Sequence, residues 1–170
     1  AQTIATCAAV SYRAPMCRIF TSMALSDDLE KKESYFMAEI RSLKRILDAA
    51  SQEIPMLCMA DEVLRGTNTI ERIAAAAQIL RSLRREQVIC LAATHDIELT
   101  YILEAWYENY HFGEEVRERD VLFSYELKKG RASTRNAIRL LEMMGYDEKI
   151  VRGAGRAARA FEESGVWARS

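Results

Sequence analysis

The chain has 170 residues, 49% of them apolar and 29% charged, with a formal net charge of −1. That is length enough for one domain with a real core and the composition of a soluble globular protein. No global basic field advertises nucleic acid, no apolar run reaches the length of a membrane span, and no signal peptide is visible.

Ala1 to Val10, AQTIATCAAV, reads as a helix of small residues able to pack closely on a sheet. It opens without a cap, as the middle of a helix would, and suggests a chain cut from a larger protein. Met16 to Met23 carries β-branched and aromatic residues and reads as a strand. A loop through Ala24 to Leu29 and the charged Glu30 to Glu33 leads to Ser34, a candidate N-cap for a helix over Tyr35 to Ala50. Phe36, Ile40, Leu43 and Leu47 form its expected apolar stripe. Beyond capping, the Ser34 hydroxyl and the N–H groups around it offer a place for an anion.

Pro55 to Asp61 is a short apolar run with a helical pattern on each side, which reads as a buried parallel strand at the centre of the fold. It ends in Asp61 and Glu62, followed at once by the polar turn Arg65-Gly66-Thr67-Asn68-Thr69. Two readings of the acids stand side by side. They are solvated loop residues, or they lie where open α/β sheets bind ligands, one serving Mg²⁺ and one orienting water. Thr67 or Asn68 caps a helix running to about Arg85, with the close-packing run Ala74 to Ala77. Gln87 to Ala93 is a second buried strand and ends in Thr94-His95-Asp96. A lone histidine at such a place is more often structural than catalytic. If the two strands are neighbours, however, Asp61, Glu62 and His95 converge. His95-Asp96-Ile97-Glu98 lacks the H-E-x-x-H spacing, so zinc is rejected. Strand–helix–strand, twice over, implies a mostly parallel α/β sheet with right-handed crossovers.

Trp106 to Phe112 and Val121 to Leu127 read as an antiparallel hairpin, with the charged run Glu114 to Asp120 as a solvated turn. Thr134 to Met144 is a helix with Ile138, Leu141 and Met144 on one side, closed by Gly145. Asp147 to Phe161 is a last helix rich in alanine and arginine. Cys7, Cys17, Cys58 and Cys90 form no C-x-x-C pair, sit in apolar contexts, and read as small buried hydrophobes in a reducing, cytoplasmic compartment.

Four ordered blocks resemble the C-terminal ATPase domain of the MutS family, the ABC-type ATPases of DNA mismatch repair. RIFTSMALSDDLEKKESYFMAEI is similar to the segment around the family's signature, ending in S-T-F-M-x-E. ADEVLRGTNT resembles its Walker B and D-loop, D-E-x-x-R-G-T-x-T. AATHDIELT resembles its H-loop, A-T-H-x-x-E-L-T. LFSYELKKG and Thr134 to Gly145 resemble its closing strand and helix. The resemblance covers nearly the whole chain and implies a P-loop NTPase-type sheet with flanking helices. It assigns Asp61 to Mg²⁺, Glu62 to the attacking water and His95 to the γ-phosphate. It also assigns Ser34 to the γ-phosphate of nucleotide held by a partner subunit, Asn68 to the D-loop dimer contact, and Tyr125 to stacking on the adenine of ATP. The implied partners are a second copy and, through upstream domains, DNA, with no membrane contact. The D-E-x-x-R-G-T and T-H-x-x-E-L-T pairing, without an L-S-G-G-Q-like signature, favours MutS over chromosome-maintenance or transporter ATPases.

No G-x-x-x-x-G-K-[ST] occurs in the sequence. In the family the P-loop lies just upstream of the segment that AQTIATCAAV resembles, so the chain is expected to begin just after it and to hydrolyse ATP negligibly by itself. Leu64 stands where relatives usually carry glycine or phenylalanine, Asn68 replaces a common serine, and Thr134-Arg135-Asn136-Ala137 replaces an S-Y-G run. THDIELT and Asn109 to Phe112, NYHF, resemble a divergent bacterial MutS-like branch. The alternative function is a non-catalytic assembly module that kept the ATPase fold and its dimer surface without mismatch recognition.

Overall fold

A computed structural model describes residues 10–11, 13–23, 35–50, 54–116, 121–132 and 136–167. The expected helix at the N-terminus, apart from Val10, lies outside the described residues, as do the Ala24 to Ser34 segment, the 117–120 part of the hairpin turn, and Thr134. The elements are β1 (Arg18–Ser22), α1 (Tyr35–Ala50), β2 (Met56–Asp61), α2 (Thr69–Ser82), β3 (Val88–Ala93), α3 (Ile97–Ile102), β4 (Tyr110–Val116), β5 (Val121–Lys129), α4 (Ala137–Met143) and α5 (Glu148–Ser164). They fall into two compact units, divided between Tyr107 and Glu108.

The first unit is a parallel sheet in the order β1-β2-β3. When sequential strands lie side by side, crossovers of one hand put both connecting helices on the same face of the sheet. Burial follows that rule. Met56, Cys58 and Ala60 of β2 point into a core completed by Leu43 and Ile46 of α1, by Ala76, Ala77 and Leu80 of α2, and by Leu83. Ala76 and Ala77 bring α2 close to the sheet, as the alanine run implied. Ile46 has no exposed surface, and burying a side chain of that size contributes about 1.5–3 kcal/mol.

The other face explains one correction. β3 is not a fully buried strand: Ile89 and Leu91 are 62% and 58% exposed. They alternate with Val88 and Cys90 and point away from both helices. The apolar stripe of α1 is also rotated. Ile40 is at the surface, and Ile46, Ala49 and Ala50 take the buried positions.

Trp106 and Tyr107 do not start a strand. Both pack against the first unit's core. The Tyr107 hydroxyl donates to the Leu80 carbonyl at 2.7 Å, and the Arg81 guanidinium lies 4.4 Å from the centre of the Trp106 ring. Anchoring to α2 outweighs the local β preference of these aromatics.

Cys58 and Cys90 are register partners on adjacent strands, and both are free thiols, as is Cys17. The Cys58 thiol is pushed up by its hydrogen bond with Cys90 and by burial. Cys58 lies in the core and Cys90 packs against it, in line with the sequence reading, whereas Cys17 precedes β1 outside that cluster and Cys7 lies outside the described residues.

The second unit holds the antiparallel hairpin β4–β5 and the helix pair α4–α5. β4 runs on through Glu114 and Glu115, so the charged run is partly strand rather than all turn. Pairing jumps from Phe112↔Leu127 to Glu114↔Phe123, which leaves one residue opposite three and bulges β5 around Tyr125. Gly145 follows α4 at φ +77, the left-handed geometry expected of a terminating glycine. Asp147 caps α5 through the Lys149 N–H at 2.8 Å. No helix among the described residues is long and apolar enough to cross a membrane.

Candidate active site at the ends of β2 and β3

β2 and β3 stay in parallel register to their last residues, Asp61 opposite Ala93. One further bond, from the Glu62 N–H to the Ala93 carbonyl at 2.9 Å, carries the pairing past the strand. The chain then turns sharply, with Glu62 at φ +51 and Leu64 at φ +64. Left-handed backbone at non-glycine residues costs on the order of 1–3 kcal/mol each, so the surroundings must hold it. Three contacts do so. Val63 and Leu64 bury their side chains in the core. The Leu64 N–H donates to the Glu39 carboxylate of α1. Gly66 lies so close to Phe36 that a Cβ would stand 3.2 Å from the Phe36 Cβ. The loop is thus clamped to α1 directly after the acidic pair.

The clamp presents Glu62 in a fixed place. One carboxylate oxygen lies 2.8 Å from His95 Nε2, and the other contacts Arg65 Nε. Glu62 is 22% exposed, whereas His95 is 93% exposed. The histidine is therefore the partner that solvent or a ligand can most easily displace. Asp61, half-buried at the end of β2, pairs with Ala93 through the strand ladder, and its carboxylate forms no ion pair among the described residues. The two candidate catalytic residues Glu62 and His95, 33 positions apart in the sequence, are brought together, with Asp61 adjacent on the same strand end.

The segment carrying His95 has its own support. The Asp96 N–H donates to Thr94 Oγ1 at 3.0 Å. The Asp96 carboxylate receives Arg72 Nε at 2.9 Å and Nη2 at 2.6 Å, a two-pronged pair from α2 that is largely shielded from water. Hydrogen bonding to Asp96 holds the Arg72 guanidinium above its ordinary value. α2 and the loop after β3 are pinned one residue from His95.

Asn68 is the N-cap of α2. Its side-chain oxygen accepts from the Ile70 N–H at 2.9 Å and from the Glu71 N–H at 3.5 Å. Asn68→Ala is expected to cost about 1 kcal/mol, and Asn68→Asp to restore nearly all of it. Urea midpoints of the three proteins check this.

Ser34 lies outside the described residues. Tyr125 belongs to the second unit, 82% exposed at the crest of its bulge with φ +52. Sequence reasoning gave no role to Glu39, Arg65 or Arg72. Glu39 ends the signature block, 25 positions from Leu64, so no local spacing announces its contact; Arg65 lies three residues after Glu62, and that short spacing was the one available signal.

A parallel sheet with flanking helices, an acidic pair at the end of one strand and a histidine just after its neighbour, has the α/β architecture of P-loop NTPase-type ATPase domains. A sequence model described as MutS domain V matches residues 5–162. The chain belongs to the MutS family of DNA mismatch repair proteins and corresponds to its C-terminal ATPase domain. Proteins of this family use ATP, bind DNA and work as dimers.

Proposed function

We propose that this chain carries the hydrolytic side of an ATP-driven dimerisation module that couples nucleotide state to the binding of mismatched or damaged DNA. The observation that supports this most is the 2.8 Å contact between Glu62 and His95 beside Asp61, at the ends of two neighbouring parallel strands. The Glu62 carboxylate acts as the base that orients the attacking water and accepts its proton, exchanging its contact with His95 for one to that water. His95, released on the solvent side, faces the γ-phosphate. Asn68 holds the D-loop in the shape a partner subunit contacts, and Ser34 contributes to the partner's nucleotide. Tyr125, displayed on a bulge with little surface buried, is suited to stack on adenine.

The donor set fits Mg²⁺. Among the described residues no three His, Cys, Asp or Glu side chains group into a metal site. Mg²⁺ commonly takes one or two carboxylates and completes its shell with phosphate oxygens and water. Asp61 is the residue that would hold it, and the ion would neutralise charge on the phosphates. Phosphate cradling belongs to a P-loop, and no such motif occurs among the 170 residues. Calorimetric titration of a protein joining this chain to a P-loop tests the assignment. Asp61→Asn should remove most of the gain in ATP affinity that Mg²⁺ confers and leave Mg²⁺-free binding unchanged. An unaltered Mg²⁺ dependence would remove Asp61 from this role.

A further inference from the structure

The second unit carries a feature that the nucleotide site does not use. α5 places Lys149, Arg152, Arg156 and Arg159 at spacings of three, four and three. At 100° per residue all four fall within an arc of about 80°, and at 1.5 Å per residue they span about 15 Å of helix. All four are exposed. They line a groove of about 530 Å³, together with Ile138 of α4 and Val151 and Gly155 of α5. Among the described residues, Lys149, Arg156 and Arg159 form no ion pair. Arg152 meets Glu148 at 3.3 Å, but both are more than 70% exposed, and such a pair yields readily to a competing anion. The helix's other acids, Glu162 and Glu163, come after the stripe, in its last turn.

We propose that this face of α5 is a sequence-independent contact for the phosphate backbone of duplex DNA. The choice of DNA as the polyanion rests on the family reading above; the basic stripe itself does not. Phosphates of one strand recur every ~3.4 Å of duplex axis, so a 15 Å row of cations matches about four of them. Three of the four cations are arginines, whose planar fork pairs with phosphate oxygens. A membrane surface is a poorer match. The face opposite the stripe offers only Ile150, Val151 and Phe161 among three alanines, and Phe161, its one aromatic, is already stacked on Trp167 at 4.3 Å.

Fluorescence anisotropy of a labelled mixed-sequence duplex with the full chain, without nucleotide, tests this. Four phosphate contacts predict that affinity falls roughly 10²-fold between about 50 and 200 mM salt. Arg152→Gln/Arg156→Gln/Arg159→Gln should weaken low-salt binding at least tenfold and lower the log–log salt slope by about 2.7. The matching triple lysine variant should keep the slope. Circular dichroism confirms folding, since all three positions are exposed. No duplex binding at the lowest salt would overturn the proposal. So would a glutamine variant with unchanged affinity and slope, or capture by phosphatidylserine vesicles but not by duplex. Because no ATP is present, failure here leaves the nucleotide site untouched, and failure of the nucleotide site leaves this result standing.

Discussion

Glu62→Gln, in a protein that joins this chain to a P-loop, should lower ATP turnover by on the order of 10²–10⁴-fold while leaving ATP affinity unchanged. That loss corresponds to about 3–5 kcal/mol of transition-state stabilisation. The substitution keeps the shape of the side chain, and its carbonyl oxygen can still accept from Arg65. What it removes is the negative charge that His95 meets at 2.8 Å and that would draw a proton from water. Binding survives because the phosphates are cradled elsewhere. Single-turnover hydrolysis beside equilibrium nucleotide binding separates the two effects. Equal turnover in the two proteins would instead support a non-catalytic assembly module.

The second large effect lies in the core. Ile46→Ala should destabilise the chain by about 2–5 kcal/mol, because the lost side chain leaves a cavity that its neighbours fill only in part. Ile46 is fully enclosed among helix and sheet residues, whereas Ile40, one and a half turns earlier, is 36% exposed. Ile40→Ala should therefore cost only about 1 kcal/mol. Urea unfolding with an unchanged slope measures both. Equal losses would mean that α1 buries a different face.

The contrast between Ile40 and Ile46 shows where sequence reasoning stopped. Helical periodicity located α1 over Tyr35–Ala50, but several overlapping stripes satisfy that period, and only the sheet beneath selects one. β2 was legible because its apolar run is bounded sharply by Pro55 and by Asp61-Glu62. Two strand–helix repeats implied a parallel sheet, but the pairing of β2 with β3 stood only as the condition for Glu62 and His95 to meet, and the fold supplies it. β3 looked buried on both faces because an apolar run does not reveal that both crossover helices lie on one side. Trp106 and Tyr107 were misread because their anchor points, Leu80 and Arg81, belong to another element. The supports of the site were invisible for the same reason. Arg72 and Asp96 are 24 positions apart, and Glu39 and Leu64 are 25 apart. Such pairs are set by the fold, and no local spacing announces them.

The most direct test is equilibrium binding of Mg²⁺–ATP to this chain and to the same chain extended upstream through a P-loop. Tight binding by the extended protein alone is the predicted result, since Asp61, Glu62 and His95 supply the hydrolytic groups but no phosphate cradle. Absence of binding in both proteins would contradict the ATPase assignment.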